Sequence, residues 1–428
     1  MNILKEVLKH EVFPALGCTE PISVAYAASV AGKTLDDEEF LSIHITVDPG
    51  VYKNGLAVTV PNTNGERGNL IAGVLGALIK QPELKMEILK GSNEKLIQQA
   101  KQIIQAKQAH IECDNSKTEL YIEVRLESSA HTARVVTECG HTNLVLVEKD
   151  GMPVFQKAHG QRRDEELPYK AALKQKRIAE LIELAEQIDE QDYAYLQQGI
   201  EMNLTVSEAG KELHKVGYYL NDLMKKGFLV DDVFSSSKKL VASAADARMA
   251  GMSYSVMSSG GSGNQGVVAI LVPYNVGKYF KIEEDKVIKS IAFSHLLNSY
   301  VKCYTGDLSP VCGCAIAAGV GATAAIVYQQ AGKDMEKIAL AINNLISDLG
   351  GMLCDGAKAG CALKVVSSTD SAIRSAYMAL NNHGITSLEG FIGKTAEETI
   401  QNLSRISEIG MAKVDDTMIE IMMQKNAD

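Results

Sequence analysis

The sequence predicts an α+β protein: a mostly helical domain over residues 161–428, a smaller α+β domain over 36–160 with an antiparallel sheet, and an N-terminal helical segment, 1–35, packing on the helical domain. Three observations predict this. Segments that alternate apolar and polar residues cluster between residues 42 and 148. Strand signals fade from Asp164 onward. Beyond Lys238 the composition turns to Ala, Gly, Ser and Met, as in tightly packed, mostly buried helices. At 428 residues the chain exceeds one ordinary core, which agrees with more than one domain.

In chain order, residues 2–32 read as a helix, a short break at Gly17-Cys18-Thr19-Glu20-Pro21, and an Ala-rich helix begun near Pro21, a residue suited to a first helical turn. Ser42-Ile43-His44-Ile45-Thr46-Val47 alternates as a strand. Asp48-Pro49-Gly50 reads as a turn, and Leu56-Ala57-Val58-Thr59-Val60 as a returning strand stopped by Pro61. A polar loop over 62–67 leads into an apolar helix over 69–79. Further strands are expected over 110–113, 120–126, 131–137 and 143–148. Helical periodicity with charged outer faces then marks 180–188 and 206–226. No internal repeat and no low-complexity linker interrupts the chain.

Composition narrows the function. Hydrophobic residues at 46% and charged residues at 22% are the balance of a soluble globular protein. A net charge of -10 without a Lys/Arg-rich block argues against nucleic acid or an anionic membrane as partner. The first residues lack the uninterrupted apolar core of a signal peptide, and no run of about 18 apolar residues spans a membrane. The expected compartment is the cytoplasm, where clustered thiols read as metal-binding or catalytic rather than as disulfides.

Five cysteines carry the chemistry. Cys312-Gly313-Cys314 precedes an Ala-rich helix expected over 315–329, where exposed N–H groups and the helix dipole favour a thiolate or a cluster sulfide. Cys354 and Cys361 are seven residues apart, about two turns, so both face one way if that piece is helical. These thiols are either metal ligands or small buried apolar residues, and without a CxxC pair the zinc-ribbon reading has little support. Cys18, beside Thr19 and Glu20, is either an activated thiolate or part of an ordinary turn.

Gly261-Ser262-Gly263-Asn264-Gln265-Gly266 matches the dinucleotide-binding string, but no strand run precedes it and no α/β alternation surrounds it. It reads better as a Gly-rich loop whose N–H groups approach a small anion such as a carboxylate, with Asn264 and Gln265 hydrogen bonding to it. In the loop Asn62-Thr63-Asn64-Gly65-Glu66-Arg67, Arg67 is either a bidentate carboxylate ligand or a solvated residue. His141 is an acid/base candidate or a satisfied turn histidine, and His295 reads as core. Lys358 and Lys364 flank the last cysteine, but no phosphate cup adjoins them, so a pyridoxal phosphate site is a poor reading.

Together the Gly17-Cys18-Thr19-Glu20-Pro21 motif, the 261–266 loop, Cys312-Gly313-Cys314 and the 354–361 segment resemble the L-cysteine desulfidase family, in its order and over nearly the whole chain. The chain is more distantly similar to the iron–sulfur L-serine dehydratases. The resemblance implies a serine-dehydratase-alpha-like catalytic domain over 161–428 holding a [4Fe-4S] cluster by three cysteines. Cys354 and Cys361 match two ligands. Cys312 has the dehydratases' ligand spacing to Cys354, and Cys314 is its rival. It further implies Cys18 as catalytic base, with Thr19, Glu20, Asn64, Arg67, Gly263, Asn264 and Gln265 as substrate-binding residues. The activity implied is β-elimination from L-cysteine; composition argues against a nucleic acid or membrane partner, and a homodimer is the expected state. L-serine dehydration and a non-catalytic metal-stabilised binding protein are the competing expectations. A Rossmann-type oxidoreductase would need a strand before Gly261.

Overall fold

The computed structural model describes residues 2–36, 38–117, 119–157, 167–306 and 309–426. Helix α1 (Ile3–Glu11), strand β1 (Pro14–Leu16) and helix α2 (Thr19–Thr34) open it. Then come β2 (Ser42–Val47), α3 (Pro49–Gly55), α4 (Asn69–Ile79), a 3-10 segment (Pro82–Gly91) and α5 (Glu94–Gln105). Strands β3 (Ala109–Cys113), β4 (Tyr121–Glu127), β5 (Thr132–Glu138), β6 (Leu144–Lys149) and β7 (Met152–Gln156) follow. Helices α6 (Pro168–Lys174), α7 (Ile178–Glu186), α8 (Glu190–Gly210), α9 (Val216–Lys225) and α10 (Val233–Met249) lead to β8 (Ser255–Met257). The remaining helices are α11 (Gly263–Tyr279), α12 (Glu284–Thr305), α13 (Ala317–Ala331), α14 (Met335–Leu349), α15 (Cys361–Leu380), α16 (Ala396–Arg405) and α17 (Val414–Asn426). This is an α+β fold.

The six-stranded sheet runs β3-β2-β4-β5-β6-β7. It is mixed rather than antiparallel throughout, because β2 and β3 pair in parallel, with Ile43 opposite Ala109. The crossover through α3, α4 and α5 is what allows it, since parallel neighbours need a long connection. Alternation puts Ile43, Ile45 and Val47 of β2, Ile122, Val124 and Leu126 of β4, and Ala133 and Val135 of β5 into one core with Ile22, Val24 and Ala28 of α2 and Leu75 of α4. The large helical core is separate and gathers α1 through Leu4 and Val7 with Phe293, Leu296, Val320, Ile342 and Ile373. Residues 1–35 are therefore divided: α1 packs on the helical core, and α2 on the sheet. The expected boundary at residue 160 lies outside the described residues.

Several local expectations change. Asp48-Pro49-Gly50 starts a helix rather than making a turn, because Asp48 Oδ1 accepts the Gly50 and Val51 N–H groups at 2.8 and 3.0 Å and Pro49 occupies the first helical turn. Residues 56–60 form no strand; only Thr59 makes a bridge, with Arg67. The helical pattern over 206–226 breaks between α8 and α9. A short strand, β8, does precede Gly261, but it pairs antiparallel with β1 in a two-stranded sheet, which is not a dinucleotide-binding arrangement. No helix among the described residues is long and apolar enough to cross a membrane.

Candidate functional site

The β1–β8 ladder positions the site. Leu16 pairs with Ser255 and Pro14 with Met257, so the chain entering Cys18 and the chain entering the 261–266 loop leave one small sheet side by side. Cys18 is the N-cap residue of α2, and Ser262 is that of α11. Cys18 packs with Val58, Met249, Ala357 and Cys361 in a small cluster apart from both large cores. The N-terminal thiol thereby meets the loop carrying Cys354 and Cys361.

That loop is not helical, contrary to the two-turn expectation: α15 begins only at Cys361. Gly356 has φ +86, and a Cβ there would lie 2.4 Å from the Lys53 carbonyl oxygen, so only glycine permits this path. Cys354 N–H donates to the Pro310 carbonyl at 2.7 Å and Cys312 N–H to the Met352 carbonyl at 2.8 Å, which fastens the two cysteine segments together. Cys314 and Ala315 lie in the turn entering α13.

One buried pocket results, with a cavity of about 90 Å³. Cys18, Thr19, Glu20, Asn264, Gln265, Cys312, Cys314, Cys354 and Cys361 all line it. Gly263, the first residue of α11, is not among the lining residues, although its neighbours Ser262 and Asn264 are. Asn64 and Arg67 are not brought there: Asn64 donates to Glu94 at 2.7 Å in a separate polar cleft, and Arg67 is exposed.

Electrostatics separate the thiols. Cys18 Sγ donates to Glu20 Oε2 at 2.8 Å, and Thr19 Oγ1 donates to the same oxygen at 3.1 Å. Burial, then the Glu20 charge, raises the Cys18 thiol well above its usual range, with Arg248 opposing. Burial works against ionised Glu20, yet His141, the Cys18 thiol and an Asn54 amide bond at 3.1 Å hold its carboxyl below the ordinary value. The resting pair is therefore a thiol beside a carboxylate. The Cys314 thiol's hydrogen bond outweighs burial and, with Lys364 and the Cys314 and Ala315 N–H groups, brings Cys312 down to about 6. Burial and the Cys312 charge push Cys354 up to about 11. Lys364 donates to the Leu353 carbonyl at 2.7 Å and to Asp355, so a cation is fixed beside the thiols.

Among the described residues no three His, Cys, Asp or Glu groups gather as a single metal ion would require. The thiols are instead spread around a shared cavity. An iron–sulfur cluster distributes its thiolate ligands over separate irons, so these soft donors, the fixed Lys364 cation and the start of α13 fit such a group.

Sequence reasoning singled out most of these groups. It missed Arg248, Asn54 and Lys302, all lining the pocket. Arg248 left a signal: with Asp246 it is a lone charged pair in the small apolar run that ends α10. His141 stands in the β5–β6 turn, whose carbonyl accepts from Ser23 Oγ of α2 at 2.5 Å, and its field reaches Glu20.

The chain is 59% identical over 427 residues to a UPF0597 protein of Geobacter sulfurreducens, covering 100% of this chain and 99% of the relative. It is 55% identical over 425 residues to a UPF0597 protein of Elusimicrobium minutum, covering 99% of this chain and 100% of that one. A UPF0597 protein of Clostridium tetani is 39% identical over 424 residues, with 99% of each chain covered. No solved structure matches the chain. The profile of the family described as serine dehydratase alpha chain matches residues 83–420, which include Cys312, Cys314, Cys354 and Cys361. The chain therefore belongs to the serine dehydratase alpha chain family, which supports a lyase-type activity on an amino acid.

Proposed function

We propose that the protein is a β-eliminating lyase that converts L-cysteine to pyruvate, ammonia and sulfide without pyridoxal phosphate. The observation that carries the reading is the meeting of the Cys18–Glu20 pair and four further thiols in one buried pocket of a dehydratase-family chain. Cys354, Cys361 and either Cys312 or Cys314 would hold a [4Fe-4S] cluster, which when bound supplies an open iron site as a Lewis acid for the leaving group.

The chain's own groups move the protons. Glu20, ionised and 2.8 Å from Cys18 Sγ, takes the thiol proton, and the thiolate then takes the proton on Cα. Burial makes that thiolate scarce but a strong base once formed. The Cα–H electron pair forms the Cα–Cβ double bond, and the Cβ–S bond breaks. Sulfide leaves as HS⁻, keeping the proton of the substrate's own thiol, and the resulting 2-aminoacrylate hydrolyses to pyruvate and ammonia. Thr19 and Asn54 hold the two Glu20 oxygens in place for this exchange. Ser262, Asn264 and Gln265 also line the pocket, and the substrate backbone would rest against them. L-serine is the second reading, favoured by the family's description; the same steps then release water.

Anaerobically reconstituted protein should release sulfide and pyruvate in equal amounts from L-cysteine, faster than pyruvate from L-serine. No pyruvate from either amino acid overturns the lyase reading. Cys354→Ser and Cys361→Ser should lose iron, whereas Cys18→Ala should keep iron and lose turnover. A ligand variant with a full cluster and full turnover would remove the cysteine assignment.

A further inference from the structure

Helix α10 ends in a buried charge with no counter-charge. Arg248 is 3% exposed, and its Nε has no hydrogen-bond partner among the described residues. None of the described residues forms an ion pair with it. A buried guanidinium is costly unless an anion meets it. Glu20, the acid that lines the same pocket, is held by Cys18, Thr19 and Asn54.

The same pocket presents a helix start. A Cβ on Gly263 would lie 2.3 Å from Arg248 Nε and 2.7 Å from its Cζ, so the guanidinium lies across the first turn of α11. Ser262, the N-cap residue, makes no side-chain cap, which leaves that turn's N–H groups as open donors. Two buried acceptors stand beside these donors. Asn264 Oδ1 and Gln265 Oε1 have no donor among the described residues, and their side chains are 2% and 5% exposed. A simple anion would satisfy the donors alone. A zwitterion satisfies both sets.

We infer that Arg248 and the first turn of α11 bind the α-carboxylate of a small α-amino acid, while the amide oxygens of Asn264 and Gln265 take its ammonium group. The choice of an amino acid rests on the lyase reading. The subsite reads the part of the substrate common to L-cysteine and L-serine and leaves the Cβ substituent to the thiols. Arg248 thus fills the role that the sequence offered to Arg67.

L-alanine, which has no leaving group, is the probe, and calorimetry on the full-length protein with and without its cluster is the readout. Wild-type protein should bind L-alanine and bind L-alaninamide, which lacks the carboxylate, at least about tenfold more weakly. Arg248→Gln should weaken L-alanine on the order of 100-fold and leave L-alaninamide unchanged, and Arg248→Lys should fall between them. Equal wild-type affinity for the two ligands, or wild-type affinity for L-alanine in Arg248→Gln, overturns the subsite. The ligand pair decides the matter even if the variants fold poorly. Selective L-alanine binding without turnover of either substrate removes the lyase reading and keeps the subsite. Turnover with a normal KM in Arg248→Gln does the reverse.

Discussion

Cys18 and Glu20 illustrate how residues two apart acquire opposite proton affinities. Both are buried, but Glu20 gains three donors and the field of His141, while Cys18 faces the Glu20 charge. Glu20→Gln keeps the shape and removes the proton acceptor. It should lower kcat on the order of 100-fold or more while iron content stays constant, since a positioned acid–base group is worth about that factor. Because the native carboxyl is held below its ordinary value, the acid limb set by Glu20 should lie below the usual glutamate range near 4.3. The stability that Glu20's ionisation contributes follows the same sign: it is complete above that range and drains away as pH falls through the lower native value. Initial rates of pyruvate release against pH check both points, and an unimpaired Glu20→Gln enzyme would refute the proton-acceptor role. The pair was visible in the Gly-Cys-Thr-Glu-Pro motif. Arg248 stood out only as a charged residue beside Asp246 in a small apolar run, and the sequence does not reveal whether an acid will pair with it.

Local signals placed those elements that make their own case. Asn69–Ile79 is a helix over the expected residues because its apolar run has no competing partner strand, and Ser42–Val47 is a strand because its alternation matches a one-sided sheet. The 354–361 segment is different. Its seven-residue cysteine spacing suits a helix, but Gly356 in the left-handed region, pressed against Lys53, makes it a loop. Gly356→Ala should therefore cost roughly 1–3 kcal/mol of local strain. We expect reduced iron retention after reconstitution with an unchanged far-UV circular dichroism spectrum, and iron content equal to wild type would count against the loop's role. Strands β1 and β8 carry too few residues to show a period, so their pairing was legible only from the fold.

Across the whole molecule, the pocket lies where the helical core and the sheet core meet, a common place for a small-molecule site. The last helix braces that junction. Lys53, whose side chain is 1% exposed, pairs with Asp415 of α17 at 2.7 Å, and the Lys53 backbone supports Gly356. Asp415→Asn leaves a buried ammonium short of its counter-charge. Asp415 is 26% exposed, so the loss should be about 1–3 kcal/mol rather than the larger penalty of a fully buried pair, read as a lower urea midpoint. An unchanged midpoint would show that α17 does not brace the site.

By itself the sequence determined the α+β class and most helices and strands, and it singled out the candidate cysteines and loops, because periodicity and residue type are local properties. Only the tertiary structure decided which of them meet. It brought Cys18 to Cys361 across 343 residues, a separation taken from their numbers, and left Asn64 and Arg67 outside the pocket. It also turned one β-pairing parallel and buried Arg248 without an acid. These outcomes depend on chain crossings and on which charges remain uncompensated after packing, and neither is written in any short stretch of residues.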